Sequence, residues 1–553
     1  MALAVAGVAS PAWAGNMGVI KGVVKNASGK ALGGVMVSAF DPAKEVSVTV
    51  FSQPDGSFVV DGLEAKSHNV RVRLIGLEDA WQENVAVGAA DVAFKMDPAK
   101  DLSAQRPAND LFSFVKFEDP KDRANFKMMC TYCHQVGTIG FRTPEEPVDW
   151  QTMVSRMDGF GGLYKHTQAT IVDRLLAAYS PEAQKSWPEY VPPPAPSGKA
   201  LEAVVTEWDG GKQDGCMIHD LEIGKDNNLV YTCDMINDCI YELNVETGVR
   251  TVYGVPGGKD PESTATPRKG PHSIECAPDG NMWLTLALSG EMAKFDVKTH
   301  EYTLFSSNVA PKKRGGYPHT LRVDEKGVVW YTDAAMNAVF SLDPANNGVV
   351  KQYQLLAAEQ AAAAGRGESG GITPYGVAVA PDGKVWYTKL NGNRLGVIDP
   401  AAPDGAIKEY KPPFEGPRRH DIGKDGIVWV PGFGSGVLGA FNPKTEEWKV
   451  YPLPDAENEI PYALNVHPTT GEVWICGTGS DSMYRFIPAT EEFVKIPMPS
   501  RVTYTREVEF AMDGSVWTCN SNYPVRHVER AKGSVIRIAL DPARAANAGT
   551  TAD

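Results

Sequence analysis

The chain has 553 residues, too many for one compact domain at about 150 residues each. With 43% apolar and 22% charged residues, and 54 Gly and 40 Pro spread without a period, it is neither disordered throughout nor fibrous. Its 54 Lys and Arg stand against 68 Asp and Glu, a net charge of −14 with no long basic run, which excludes nucleic acid as a partner.

The opening run MALAVAGVASPAWAG ends in Ala12-Trp13-Ala14, the small-x-small pattern of a signal-peptide cleavage site. Residues 1–14 are expected to be a secretory signal and the mature protein periplasmic. The first basic residue is Lys21, so the usual positive start is missing, as in a truncated signal. No later stretch has the roughly 20 uninterrupted apolar residues of a membrane span, so no transmembrane segment is expected.

Residues 15–100 alternate apolar and polar residues between turn signals, as in VIKGVVKNASGKALGGVMVSAF and SFVVDGL, and predict a β-sandwich with a middle hairpin over Val48 to Phe58. The order G-x-V, then G-x-x-L-x-G-x-x-V, then DG-x-F-x-x-x-GL resembles the carboxypeptidase regulatory-like domain. The resemblance implies a transthyretin-like fold and a structural role.

From 104 to 185 the periodicity turns helical, with CTYCH near the start of the segment. Cys130 and Cys133 with His134 form the C-x-x-C-H pattern of covalent haem c attachment: two thiols add to the haem vinyl groups while the histidine reaches the iron. A small all-α cytochrome c domain with one covalent haem c is expected here. The distal iron ligand is sought in DWQTMVSRMDGFGG, whose W-x-x-x-V-x-R-M order resembles bacterial cytochromes in which that Met binds iron. The resemblance favours Met157, with Met153 and His166 as alternatives. Six cysteines remain; Cys233 and Cys239 flank a hairpin turn, Cys476 and Cys519 share a repeat position, and each pair is either a disulfide or two buried thiols.

Residues 186–200 contain PEYVPPPAPSGKA, a stiff Pro-rich linker. From 201 to 541 the sequence repeats itself seven times, most clearly in GPHSIECAPDGNMWLT, YPHTLRVDEKGVVWYT and TPYGVAVAPDGKVWYT. Anchors 43–56 residues apart leave room for four strands per repeat. This predicts a seven-bladed β-propeller. The last repeat lacks its fourth strand, which EAVVTEWDG (202–210) is expected to supply; residues 542–553 form a tail. The whole is mainly β: a propeller, a transthyretin-like sandwich and a small helical domain.

The residue before the innermost strand is His219, His272, His319, Tyr375, Arg418, Tyr462 and Arg506 in successive repeats, so these seven side chains should ring one mouth of the channel. Behind them come Cys233, Leu286, Asp333, Lys389, Gly432, Gly477 and Asn520, with His420, Asp234 and Glu507 nearby. Ten histidines scattered evenly would put about 0.1 in seven chosen positions, yet three fall there, which points to a site. The imidazoles suit a general base or a second metal at His272, His319 and Asp333. Arg418, Arg506 and Lys389 suit an anionic group or a quinone cofactor.

The PDG…WYT repeats resemble the virginiamycin B lyase (streptogramin lyase) family. That resemblance implies a His base, nearby carboxylates and a divalent cation for C–O elimination, but the Glu usual after W-x-T is replaced by Asp333, Lys389 or Asn520. The leading expectation is a periplasmic haem c oxidoreductase that oxidises a small organic substrate, neutral or anionic, at the mouth and passes electrons to a periplasmic carrier. The alternatives are a streptogramin lyase-like C–O lyase or hydrolase with an accessory cytochrome, and an electron-transfer or docking module without catalysis.

Overall fold

The computed structural model describes residues 18–138, 150–159, 168–307, 316–356, 373–521 and 528–546. The signal segment and His166 lie outside these residues. None of the described helices is long and apolar enough to cross a membrane.

The first seven strands are β1 (Gly18–Asn26), β2 (Met36–Phe40), β3 (Val46–Phe51), β4 (Ser57–Leu63), β5 (His68–Arg73), β6 (Ala80–Val85) and β7 (Val92–Met96). They form two facing sheets, β4-β1-β7 and β3-β2-β5-β6, closed on Ile20, Val37, Val50, Phe58, Val70 and Phe94. Val48 to Phe58 is not the expected hairpin. The turn at Pro54–Gly56 carries the chain across the sandwich, because β3 pairs with β2 while β4 pairs with β1.

The helical domain contains α1 (Ala108–Phe112), α2 (Pro120–Cys130), α3 (Trp150–Gly159) and α4 (Gln168–Tyr179). Helix α2 starts where Asp119 accepts from the Lys121 N–H and Pro120 needs no partner for a missing N–H, and it ends on Cys130. CTYCH is therefore the turn that leaves α2. Phe112, Phe126, Trp150, Ile171, Leu175 and Tyr179 make the core, and Cys130, Met153 and Met157 pack on it.

Six four-stranded antiparallel sheets then follow over residues 218–254, 271–306, 318–354, 374–410, 421–452 and 461–497. A further three strands, ending with Ser534–Leu540, are completed by β8 (Ala203–Asp209), the strand expected to close the ring. Innermost strands of successive sheets touch, and the last sheet touches the first. These are the blades of a β-propeller. Trp283 and Trp330 each pack into the following blade, which is why the repeat keeps a tryptophan. The glycine of the PDG turn sits at positive φ, as at Gly280 (+87°) and Gly383 (+78°).

β8 has a second partner that the sequence did not announce. Its free edge pairs with β3, so one eight-stranded sheet runs from the last blade into the sandwich. Arg530 locks the seam, donating to Asp209 Oδ1 (2.9 Å) and Ser47 Oγ (2.8 Å). Arg73 reaches across to Glu529 (2.7 Å). All eight cysteines are free thiols, so neither Cys233 with Cys239 nor Cys476 with Cys519 is a disulfide.

Val205 is fully buried and pairs with Thr49 on one side and Ile538 on the other. Val205→Pro should cost about 3 kcal/mol or more. Denaturant titration should show sandwich and propeller losing stability together; an unchanged propeller transition would contradict the shared strand.

Candidate functional site

The seven predicted positions do meet at one mouth, and a recurring backbone device puts them there. In five blades the pairing of the two inner strands slips at the ring residue: Pro271 faces Leu286 and Ile274 faces Leu284, with the same irregularity at Ile218/Leu221, Pro318/Leu321, Pro374/Val377 and Pro461/Leu464. Such a bulge adds a residue and turns the side chain toward the channel. The threonine of W-x-T then fixes it. Thr285 Oγ1 donates to the carbonyl of His319 (2.9 Å), Thr332 to that of Tyr375 (2.7 Å) and Thr388 to that of Arg418 (2.6 Å), each in the next blade. Cysteine takes this position twice: Cys519 Sγ donates to the His219 carbonyl (3.4 Å) and Cys476 Sγ to that of Glu507 (3.6 Å). These thiols are clamps.

The histidines form a stack. Ring centroids lie 3.7 Å apart for His219 and His272 and 4.2 Å for His272 and His319, and His319 continues to Tyr375 at 4.0 Å. Burial pushes His219 down to about 4, against the pull of Asp220, whose Oδ1 lies 2.8 Å from Nδ1. Burial and then the neighbouring imidazole push His272 and His319 well below the usual histidine range. The stack is neutral at physiological pH, the form in which an imidazole accepts a proton.

The other half of the ring is engaged otherwise. Tyr375 and Tyr462 share a hydroxyl hydrogen bond (2.8 Å), and Arg418 donates to Tyr375 (2.5 Å) while stacking over Tyr462 (3.5 Å to the centroid). Arg418 also donates to the carbonyl of Tyr132 (3.0 Å) and Arg506 to that of Cys133 (2.8 Å). Tyr504 donates to the carbonyls of Thr131 and Tyr132. Gln135 donates to the Thr478 carbonyl (2.6 Å) and Asp481 (2.8 Å). The CTYCH segment thus sits on the mouth, and Tyr132, between its two cysteines, meets Tyr375 edge-on at 5.9 Å.

This changes the expected roles of the cations. Arg418 and Arg506 hold the CTYCH backbone, and Lys389 is paired with Glu409 (2.5 Å). Asp333 Oδ1 accepts from the N–H groups of Tyr317, Ala335 and Met336, the work of a turn residue. The potential ligand atoms that gather are those of His219, Asp220 and His272. There the Arg419 guanidinium, 2.8 Å from Asp220, already supplies the positive charge a cation would bring.

The residues fit a covalent haem. Cys130 and Cys133 are free, and His134 Nδ1 donates to the Gln135 carbonyl (2.7 Å), the bond that orients a metal-ligating imidazole and leaves Nε2 for iron. Met157 and Met153 share a core with Cys130.

Sequence reasoning named Glu507 beside the ring but missed the rest of the layers beneath it. One place on from the ring, Asp220 and Arg419 lie with Glu507; three places on lie Glu222, Glu275, Arg322, Asp421 and Glu509. The same repeat phase would have found them. Arg419 Nη1 joins Asp220 (2.8 Å) to Glu507 (2.5 Å), and Arg322 joins Glu507 (3.4 Å) to Glu275 (3.1 Å).

Two domains have family counterparts. Residues 260–431 match the virginiamycin B lyase family and residues 19–97 the carboxypeptidase regulatory-like domain. No curated protein matches the sequence. Among solved structures, a streptogramin B lyase aligns at 19% identity and TM-score 0.50, covering 62% of this chain and all of its own. The virginiamycin B lyase of Staphylococcus aureus aligns at 17% identity and TM-score 0.49, covering 61% of this chain and all of its own. The chain thus carries a virginiamycin B lyase-like propeller behind a carboxypeptidase regulatory-like domain.

Histidines whose folded values lie below the unfolded one bind fewer protons in the native state, so acid favours unfolding. Stability should fall as pH drops from about 6.5 toward 4, by about 1.4 kcal/mol per pH unit for each such histidine. His272→Gln should flatten the slope in denaturant titrations across that range; an unchanged slope would mean that these imidazoles are charged in the fold.

Proposed function

We propose that this protein is a periplasmic oxidoreductase in which a seven-bladed propeller presents a neutral histidine stack to a small organic substrate and a covalent haem c takes up the electrons. The observation that carries this reading is the seating of CTYCH on the ring, with Arg418, Arg506 and Tyr504 all bonded to its backbone. Cys130, Cys133 and His134 would hold the haem, with Met157 as the distal ligand. Bound there, the group supplies one-electron acceptance and passage to a soluble carrier. The chain's own residues do the rest. His272 or His319 takes the substrate proton, Asp220 fixes the tautomer of His219, and Tyr132 closes the mouth against bulk water.

The family match over residues 260–431 favours a second reading, a streptogramin lyase-like eliminase that uses the same histidines as bases, with the haem domain as an accessory. Only in the first reading does the substrate reduce the haem. Under anaerobic conditions a turned-over substrate should reduce the haem absorption band, and His319→Ala should abolish that reduction while leaving dithionite reduction intact. Turnover with the band still oxidised would decide for the lyase. An absent haem in pyridine haemochrome assay would remove the first reading.

A further inference from the structure

Beneath the histidine stack a hydrogen-bonded column of charge descends to the opposite face. His219 Nδ1 meets Asp220 Oδ1 at 2.8 Å, and Arg419 Nη1 donates to that same oxygen (2.8 Å) and to Glu507 Oε2 (2.5 Å). Arg322 then donates to Glu507 Oε1 (3.4 Å) and Glu275 Oε2 (3.1 Å). Carboxylate atoms of Glu275, Glu222 and Glu509 lie within 4.8 Å of one another. Asp220, Arg419 and Glu507 are at most 3% exposed in their side chains, whereas Glu275 and Glu509 are partly open to solvent. The column is sealed at the ring and open at the far end.

We propose that this column is a proton port, carrying protons between the histidine stack and the face of the propeller opposite the CTYCH segment. It rests on the reading of the histidine stack as the reacting centre.

When His219 takes a proton at Nε2 from the stack it becomes an imidazolium, and its Nδ1 proton then moves to Asp220, leaving a neutral imidazole and a carboxylic acid. Asp220 and Glu507 accept from one Arg419 nitrogen, which keeps the two carboxyls within the reach of a single water. Asp220 Oδ2 and Arg419 Nε and Nη2 are buried without a protein partner, and polar atoms so placed are ordinarily met by internal water. Glu507 and Glu275 are linked in the same way by the two Nη atoms of Arg322. From Glu275 the proton passes to Glu222 or Glu509 and to bulk water. No electron moves in these steps, and every carrier regains its starting charge once it has both taken up and handed on a proton.

Charge balance supports carriage. Asp220, Glu222, Glu275, Asp421, Glu507 and Glu509 share this part of the channel with only two guanidiniums among the described residues, Arg322 and Arg419, and with His420, which burial and then Arg322 push down to about 3. Six carboxylates cannot all ionise beside two cations. Burial raises Glu222, Glu275 and Glu509, and their mutual repulsion adds to it for the last two. Asp220 alone is held low, because Arg419 and His219 outweigh its burial. Protons therefore gather toward the open end.

The test uses the full holoprotein labelled with 15N in histidine, and reads exchange of the His219 ring N–H with water, the signal being assigned with His219→Gln. Exchange should be fast in the parent protein and about a hundredfold slower in Glu507→Gln, which keeps the shape of the carrier but not its proton. Glu275→Gln, at the partly exposed end, should slow it in the same direction and serves if the buried variant does not fold. Equal exchange in the parent and a folded variant, or a parent N–H that already exchanges slowly, would overturn the port. Neither outcome depends on haem content or turnover, so the port and the oxidoreductase reading can fail separately.

Discussion

The ring depends on one small interaction, the hydroxyl or thiol of W-x-T that donates to the carbonyl of the ring residue in the next blade. A bulged backbone group buried between blades costs free energy if its carbonyl has no partner. Thr285, Thr332, Thr388 and Cys519 meet that need for His319, Tyr375, Arg418 and His219, Cys476 serves the carbonyl of Glu507 one place past the ring, and all five tie neighbouring blades together at the depth where the side chains converge. The imidazoles can then be packed in close, tilted contact and held neutral without freedom to swing toward water. Orientation is settled before any ligand arrives, the condition under which a base works efficiently.

Seven equivalent positions do not perform seven equivalent tasks. On the histidine side the Nδ1 atoms of His219 and His319 are held by the neighbouring Asp220 and Thr320, and His272 Nδ1 has no protein partner. The arginine and tyrosine side spends its donors on main-chain carbonyls of residues 131–133. Carbonyl acceptors do not depend on side-chain identity, so the dock recognises the path of the C-x-x-C turn rather than its sequence, with Tyr132 as the one side chain seated on Tyr375. Desolvated guanidiniums beside stacked phenols gain from the aromatic faces what they lose in hydration.

Repeat arithmetic made the propeller and the ring legible in the sequence, because a phase that recurs must lie at a fixed height in every blade. The same arithmetic closed the ring with residues 203–209. Pairwise contacts between unlike parts were not legible. Nothing in VSVTVF announces that β3 will pair with β8, since an edge strand reads alike whether its partner is solvent or another domain. Arg418 and Arg506 read as anion binders because cationic residues at a channel mouth usually are; their partners, the carbonyls of Tyr132 and Cys133, carry no sequence signal. The cysteines at 476 and 519 read as a pair because they share a phase, and that phase turned out to be the clamp position, which serves adjacent blades separately.

The family match runs across both halves of the mouth. The matched residues 260–431 contain His272 and His319 with their clamps. Tyr462, Thr478, Asp481, Tyr504 and Arg506, which with Arg418 form most of the dock, all lie beyond it. The matched stretch thus holds two of the three stacked imidazoles together with Tyr375 and Arg418, while His219 and the rest of the dock lie outside it. A dock assembled on the last blades leaves the histidine side unencumbered, and the seam through β8 fixes the blade that carries Tyr504 and Arg506 to the sandwich from which the helical domain follows in the chain. Rigidity at that blade is what lets three donors, on Arg418, Tyr504 and Arg506, meet three successive carbonyls at once.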